Sequence, residues 1–179
     1  MVQFILGAMF LVVIAFFCNS EAKTNDRTPA IETDIIEVDT RPQDVEGLAK
    51  ANGFKPSKRI IDAIIRASDT YSIDALELTA IGIIETGLGK YNVTRKNKNG
   101  THDRGVFQIN TVNYSKCVEY NLDSPEGSAL CAAKLLSSIK SKRADYLGVY
   151  HSKTCKPAFC PKKAYMKKLS KVLALTTDN

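Results

Sequence analysis

Histidine is scarce in this chain, with only His102 and His151 among 179 residues, far apart in sequence. No Cys-x-x-Cys pair accompanies them, so the ligand spacings of zinc sites are missing and no metal is expected. There is no phosphate-cradling Gly loop, no cofactor fingerprint, no Ser or Cys nucleophile elbow and no internal repeat. Nucleotide-dependent chemistry and the usual covalent hydrolases therefore lose their sequence support, and no cofactor is expected. No basic motif interleaved with aromatics occurs, which argues against nucleic acid as a partner. Long apolar runs are equally few. The single one, Phe4–Cys18, spans fifteen residues, short for a membrane span but of the size of a secretory h-region.

The apolar content is enough for one core. A chain of 179 residues with 44% hydrophobic content can bury one core and not two. The formal net charge is +6, unevenly spread. Residues 23–50 carry a net −3 and residues 51–179 a net +10. A domain this basic suits an anionic polymer, and an acidic cell-wall glycan is one such partner.

After the apolar run, Ser20-Glu21-Ala22 offers a small-x-small cleavage site. The expectation is a signal peptide over 1–22 and an exported protein, periplasmic or extracellular, without stable membrane insertion after cleavage. The segment before the run lacks Lys and Arg, so an uncleaved anchor is the alternative. Export changes how the cysteines read. With Cys18 removed, Cys117, Cys131, Cys155 and Cys160 remain, an even number that suits two disulfides in an oxidising compartment. Three connectivities are open, of which Cys117–Cys131 with Cys155–Cys160 is the most local.

Residues 23–54 are Thr-, Asp- and Glu-rich without sustained apolar period and read as an acidic flexible linker. The folded domain is expected over 55–179, mainly α, as a single compact helical body. Ile60, Ile61, Ile64 and Ile65 make a helical stripe after Pro56-Ser57. Asp74 can cap a second helix, with Glu77 completing a capping box and Gly87 and Gly89 ending it. That places Glu85 in its last turn. Thr111–Tyr120 suits a short helix, and Ser124-Pro125 starts a longer one. Pro161 opens the last helix, whose Tyr165, Leu169, Val172 and Leu173 are spaced for packing. The lysines of that helix read most simply as a solvated face.

Glu85 is the chemically interesting residue. A carboxylate near a helix C-terminus is disfavoured by the helix dipole and usually survives there solvated or paired. Reached by an apolar helix, it can instead be a general acid, because burial disfavours its charged form. The residues C-terminal to Glu85 favour the second reading. Asn97-Lys98-Asn99-Gly100-Thr101 is a turn cluster, and Gly105-Val106-Phe107-Gln108-Ile109-Asn110 reads as an extended piece forming the floor of a cleft.

Glu85-Thr86, then Gly105-Val106-Phe107-Gln108, and later Tyr150-His151, resemble in order the active-site signature of the soluble lytic transglycosylases, over residues 58–174. The likeness is greatest to small exported members associated with secretion and conjugation machines. The family pattern is Glu-Ser, Gly-Leu-Met-Gln and Tyr-Asn, so Thr86 keeps a hydroxyl, Phe107 reshapes an apolar wall, and His151 changes the hydrogen-bond inventory. The resemblance implies a lysozyme-like fold with a small extended region at the cleft. It also implies cleavage of the β-1,4 bond between N-acetylmuramic acid and N-acetylglucosamine in peptidoglycan strands, with Glu85 as acid and base and an envelope-spanning machine as a further partner. Thr86, Gly105, Val106, Phe107, Gln108, Asn110, Tyr150 and His151 would bind substrate, and Tyr150 would help orient Glu85.

The same stretch is similar to animal-type (c-type) lysozymes around Asp103–Asn110. Asp103 lies eighteen positions after Glu85 and there would be the second catalytic carboxylate. A retaining hydrolase needs two carboxyls about 5–5.5 Å apart, whereas a lytic transglycosylase can work with one Glu. Asp103 is also a common turn residue before Gly105. A muramidase, or an inactive wall-binding component that keeps the cleft, are the rival readings.

Overall fold

The stripe Ile60, Ile61, Ile64 with Ala67 drives the helix around which the domain is built. The structure is a computed structural model that describes residues 39–91, 94–151 and 161–175. The signal peptide expected over 1–22, and Cys155 and Cys160 with their expected bridge, lie outside the described residues. In chain order the described elements are α1 (Arg41–Ala51), α2 (Lys58–Tyr71), α3 (Ala75–Thr86), β1 (Arg95–Lys96), β2 (His102–Arg104), β3 (Ile109–Asn110), a 3-10 segment (Thr111–Lys116), α4 (Pro125–Lys140), α5 (Tyr146–His151) and α6 (Pro161–Ala174). They belong to one compact, mainly helical unit. No helix among the described residues is long and apolar enough to cross a membrane.

The helix boundaries arise from their caps. Ser57 accepts from the Ile60 amide to open α2, and Asp74 accepts from the Glu77 amide at 2.9 Å to open α3. The Glu77 carboxylate does not close the reciprocal half of the box. It turns to accept from the Tyr146 hydroxyl of α5. Ser124 accepts from the Gly127 amide at 3.0 Å, with Pro125 at the first turn of α4. Gly87 ends α3 in the left-handed conformation at φ 58°, with its amide on the Ile83 carbonyl and the Leu88 amide on that of Gly82.

Two expectations are corrected by this arrangement. The segment 23–54 is not linker throughout, because α1 lies inside it and buries Val45, Leu48 and Ala49 completely or nearly so against the core. Those three apolar positions, spaced i, i+3, i+4, are too few to stand out among charged neighbours, yet each contributes on the order of 1–3 kcal/mol once buried. The segment Gly105–Asn110 is not one extended piece. It turns tightly from Gly105 to Gln108 and only then enters β3.

The three strands form a small antiparallel sheet in the order β1-β2-β3. Asp103 stands opposite Asn110, and Arg104 opposite Ile109. Beneath the sheet the core is continuous: Phe107, Ile81, Leu78 and Leu136 are fully buried in one cluster with Ile64. Helix α4 packs along α2. A disulfide joins Cys117, just past the 3-10 segment, to Cys131 in α4, with Cα atoms 5.6 Å apart. The most local pairing expected for these two cysteines is the one present.

Candidate active site

Helix α3 is apolar along nearly its whole length, and it delivers Glu85 from the core to its last turn. The side chain is only partly exposed there and borders a cleft of about 840 Å³. Burial pushes its carboxyl up to about 7 from an ordinary 4.5, and the Asp103 charge pushes the same way. Tyr165 and the Lys168 cation pull it down, without restoring the ordinary value. At neutral pH Glu85 therefore exists in both protonation states, which suits a group that must give and take a proton.

Asp103 reaches the same cleft from the middle strand. Side chains alternate along β2, so Arg104 leaves on the other face and pairs with Asp123, its Nε 3.0 Å from Oδ1. Both Asp103 oxygens are occupied. Asn110, its cross-strand partner, donates from Nδ2 to Oδ1 at 2.6 Å, and Asn97 donates from Nδ2 to Oδ2 at 2.9 Å. The second proton of each amide goes to the Thr101 hydroxyl, at 3.0 Å in both cases. That hydroxyl in turn donates to Asn99 Oδ1 at 2.8 Å. Both Nδ2 protons of Asn97 and of Asn110 are spent, so the Asp103 carboxylate is held in one orientation.

The floor continues at Gln108, whose backbone sits at φ 47°, a conformation costly for a side chain of this kind. Its amide and its Nε2 both donate to the Gly105 carbonyl, at 3.1 and 3.0 Å. Tyr150 and His151 arrive from α5 and complete this side of the cleft. The cleft is also lined by the 3-10 segment, with Val112, Asn113 and Lys116, by one stripe of α4, Leu135, Ser138 and Ile139, and by Lys142 just past that helix. The three α4 positions are spaced i, i+3, i+4, as one helix face requires.

Of the residues picked from sequence, the structure gathers Glu85, Asp103, Gln108, Asn110, Tyr150 and His151 around one cleft. It does not bring Thr86, Gly105, Val106 or Phe107 to the wall. Thr86 is 2% exposed and its hydroxyl donates to the Val106 carbonyl at 2.7 Å while accepting from the Gly89 amide at 2.9 Å. It staples the helix end to the turn. Phe107 and Val106 are core residues. Gly105, at φ 73°, faces inward, where a methyl group would lie 2.2 Å from the Leu122 carbonyl oxygen and 2.4 Å from Ser128 Oγ. The glycine is needed for packing against α4, not for the approach of a substrate.

Tyr150 is in the site but not in the expected role. Its hydroxyl donates to the Phe107 carbonyl at 3.2 Å and so fastens the turn. The phenol against Glu85 is Tyr165 of α6, read from sequence only as a packing residue. Its ring stacks on that of His151, centroids 4.3 Å apart and planes within 6°. Burial, then the Lys168 cation, lowers the His151 pKa, which keeps this imidazole neutral at neutral pH. Lys116 and Lys142 on the cleft margin gave no sequence signal of a site role. Among the described residues no group of three His, Cys, Asp or Glu side chains is gathered that could hold a metal.

Comparison with known proteins gives no match: no family model, no curated sequence and no solved structure aligns significantly with this chain.

Proposed function

We propose that this protein is a peptidoglycan lytic transglycosylase of lysozyme-like fold, cleaving the β-1,4 bond between N-acetylmuramic acid and N-acetylglucosamine. The observation that carries the reading is the pairing of two unlike carboxyls on one cleft. Glu85 is raised to about 7 by burial, while both oxygens of Asp103 accept from asparagine amides. One group is poised to exchange a proton, and the other is held in place by two amide donors.

In this mechanism the Glu85 carboxyl protonates the glycosidic oxygen as the bond to the muramyl C1 breaks. The resulting carboxylate then takes the proton of the muramyl 6-hydroxyl, whose oxygen closes on C1 to give the 1,6-anhydro ring. Asp103 steadies the positive charge that develops at C1. Gln108, Asn110 and His151 offer hydrogen-bonding groups to the sugars. Lys116 and Lys142 on the margin suit a strand bearing carboxylates. An exported setting beside an envelope-spanning machine is supported by the N-terminal apolar run and by the resemblance of the Glu85, Gly105–Gln108 and Tyr150 motifs to exported transglycosylases.

A second reading, muramidase, is favoured by the Coulombic contact between Asp103 and Glu85, because a retaining hydrolase needs the two carboxyls close. Mass spectrometry of the soluble products from purified sacculi separates the two. Anhydromuramyl ends, lighter by one water than hydrolysed ends and absent with Glu85→Gln, are the expected result. Reducing ends would move the assignment to muramidase. No release by wild type, under conditions where sacculi are bound, would leave only a wall-binding role.

A further inference from the structure

Two phenols approach Glu85, and they are not equivalent. The Tyr150 hydroxyl is committed to the Phe107 carbonyl. The Tyr165 hydroxyl is buried and makes no hydrogen bond of ordinary geometry, although its residue is only 3% exposed. Buried hydroxyls are almost always satisfied, because an unpaired one forfeits its hydration without return. Helix α6 packs on α3, and this hydroxyl comes near enough to the Glu85 carboxyl to favour its ionised form.

The ring that carries it is fixed. It belongs to the buried stripe of α6, with Leu169 one turn on at 1% exposure. On the cleft side the His151 ring covers it in a near-parallel stack. Rotation about the side chain would break both contacts, so the hydroxyl stays in place.

From this geometry we infer that Tyr165 is a positioning residue for Glu85: its hydroxyl donates to the carboxylate once the proton has left, and His151 clamps the ring in place. The contact between the two side chains does not depend on the reaction. Its use in turnover rests on the proposed function, where Glu85 must spend part of each cycle as an anion in a poorly hydrated place. The phenolic proton stays on Tyr165 throughout, because burial and the Glu85 charge both push its pKa well above the usual tyrosine range. Among the described residues, the other titratable groups acting around Glu85 are Asp103 from β2, Tyr150 from α5 and Lys168 from α6. Lys168 also acts on His151. None of these is altered by replacing Tyr165 with Phe, which keeps the ring and the stack and removes only the donor.

The test is a 13C titration of the Glu85 carboxyl in the full chain, assigned by its loss in Glu85→Gln, for wild type and Tyr165→Phe. The midpoint should rise in the variant by roughly half to one pH unit, as expected for the loss of one hydrogen bond to the charged form. The alkaline limb of kcat/KM for sacculus solubilisation should move up by the same amount. His151→Ala, which leaves the hydroxyl but removes the clamp, should shift the midpoint in the same direction and less. An unmoved midpoint in folded Tyr165→Phe overturns the inference, even if cleavage slows, since a packing defect would not spare the titration. If that variant does not fold, an unmoved midpoint in His151→Ala overturns it instead. A shifted midpoint in a protein that releases nothing from sacculi upholds the contact and overturns the proposed function. Cleavage by both proteins with superimposable profiles does the reverse.

Discussion

Replacing Glu85 by Gln keeps the shape of the side chain and removes its ability to ionise, so it isolates the cost of a charge at the end of α3. In the folded protein the carboxyl titrates at about 7, against an ordinary 4.5. Below pH 4.5 it is neutral in both folded and unfolded chains and contributes no difference. Between the two values the unfolded chain has lost the proton and the folded one still holds it, so stability falls as pH rises. Above pH 7 the penalty is complete, about 3 kcal/mol as a ceiling at 1.36 kcal/mol per unit. Glu85→Gln escapes it. Thermal unfolding monitored by circular dichroism from pH 4 to 8 should show the two proteins alike at pH 4. By pH 8 the variant should melt higher by roughly 6–12 °C, the equivalent of 3 kcal/mol for a domain of this size. Because both proteins share every other titrating group, the difference between the curves belongs to this residue. Parallel curves across the range would refute the claim that Glu85 is buried enough to resist ionisation. The proposed chemistry would then lose its acid.

Asp103→Asn removes one of the two influences that raise Glu85. The alkaline limb of its pH–rate profile should move down, with activity within roughly tenfold of wild type, whereas a muramidase would lose activity as completely as Glu85→Gln. Gly105→Ala places a methyl group against the Leu122 carbonyl and Ser128 at positive φ; a loss of at least about 3 kcal/mol is expected from urea midpoints. Replacing Cys117 and Cys131 together by Ser opens a crosslink between residues 14 apart. About 3 kcal/mol should be lost, and reductant should lower the wild-type melting temperature while leaving that of the variant unchanged.

The helices that build the scaffold were legible because their ends carry local chemistry. Ser57, Asp74, Ser124-Pro125 and Gly87 each act on backbone groups within four residues, and sequence shows such pairs directly. Helix α1 was not, since its three core contacts are made to distant elements and its own sequence is mostly charged. The small extended region at the cleft was expected only from the family resemblance, because strands of two or three residues, one of them His-Asp-Arg, have no period to read. At the site, Glu85 and Asp103 stood out as carboxylates in a recognisable order. The residues beside them were misassigned because a tight turn sends neighbours in opposite directions. Gln108 faces the cleft, while Phe107 next to it is wholly buried. Tyr165 gave no sign at all. Its spacing with Leu169 is that of any packing helix, and only the folded chain brings it to Glu85.

Helix α4 gives one face to the core, through Ala129, Ala132, Ala133 and Leu136, and its outer stripe to the cleft. Most of these inner residues are small, so a modest gain or loss of volume there would slide or tilt the rod as a whole. Such a shift would move Leu135, Ser138 and Ile139 together relative to Glu85, without replacing any side chain that lines the cleft. The shape of the cleft can therefore drift through substitutions that look purely internal. A survey of variants confined to the lining would overlook them.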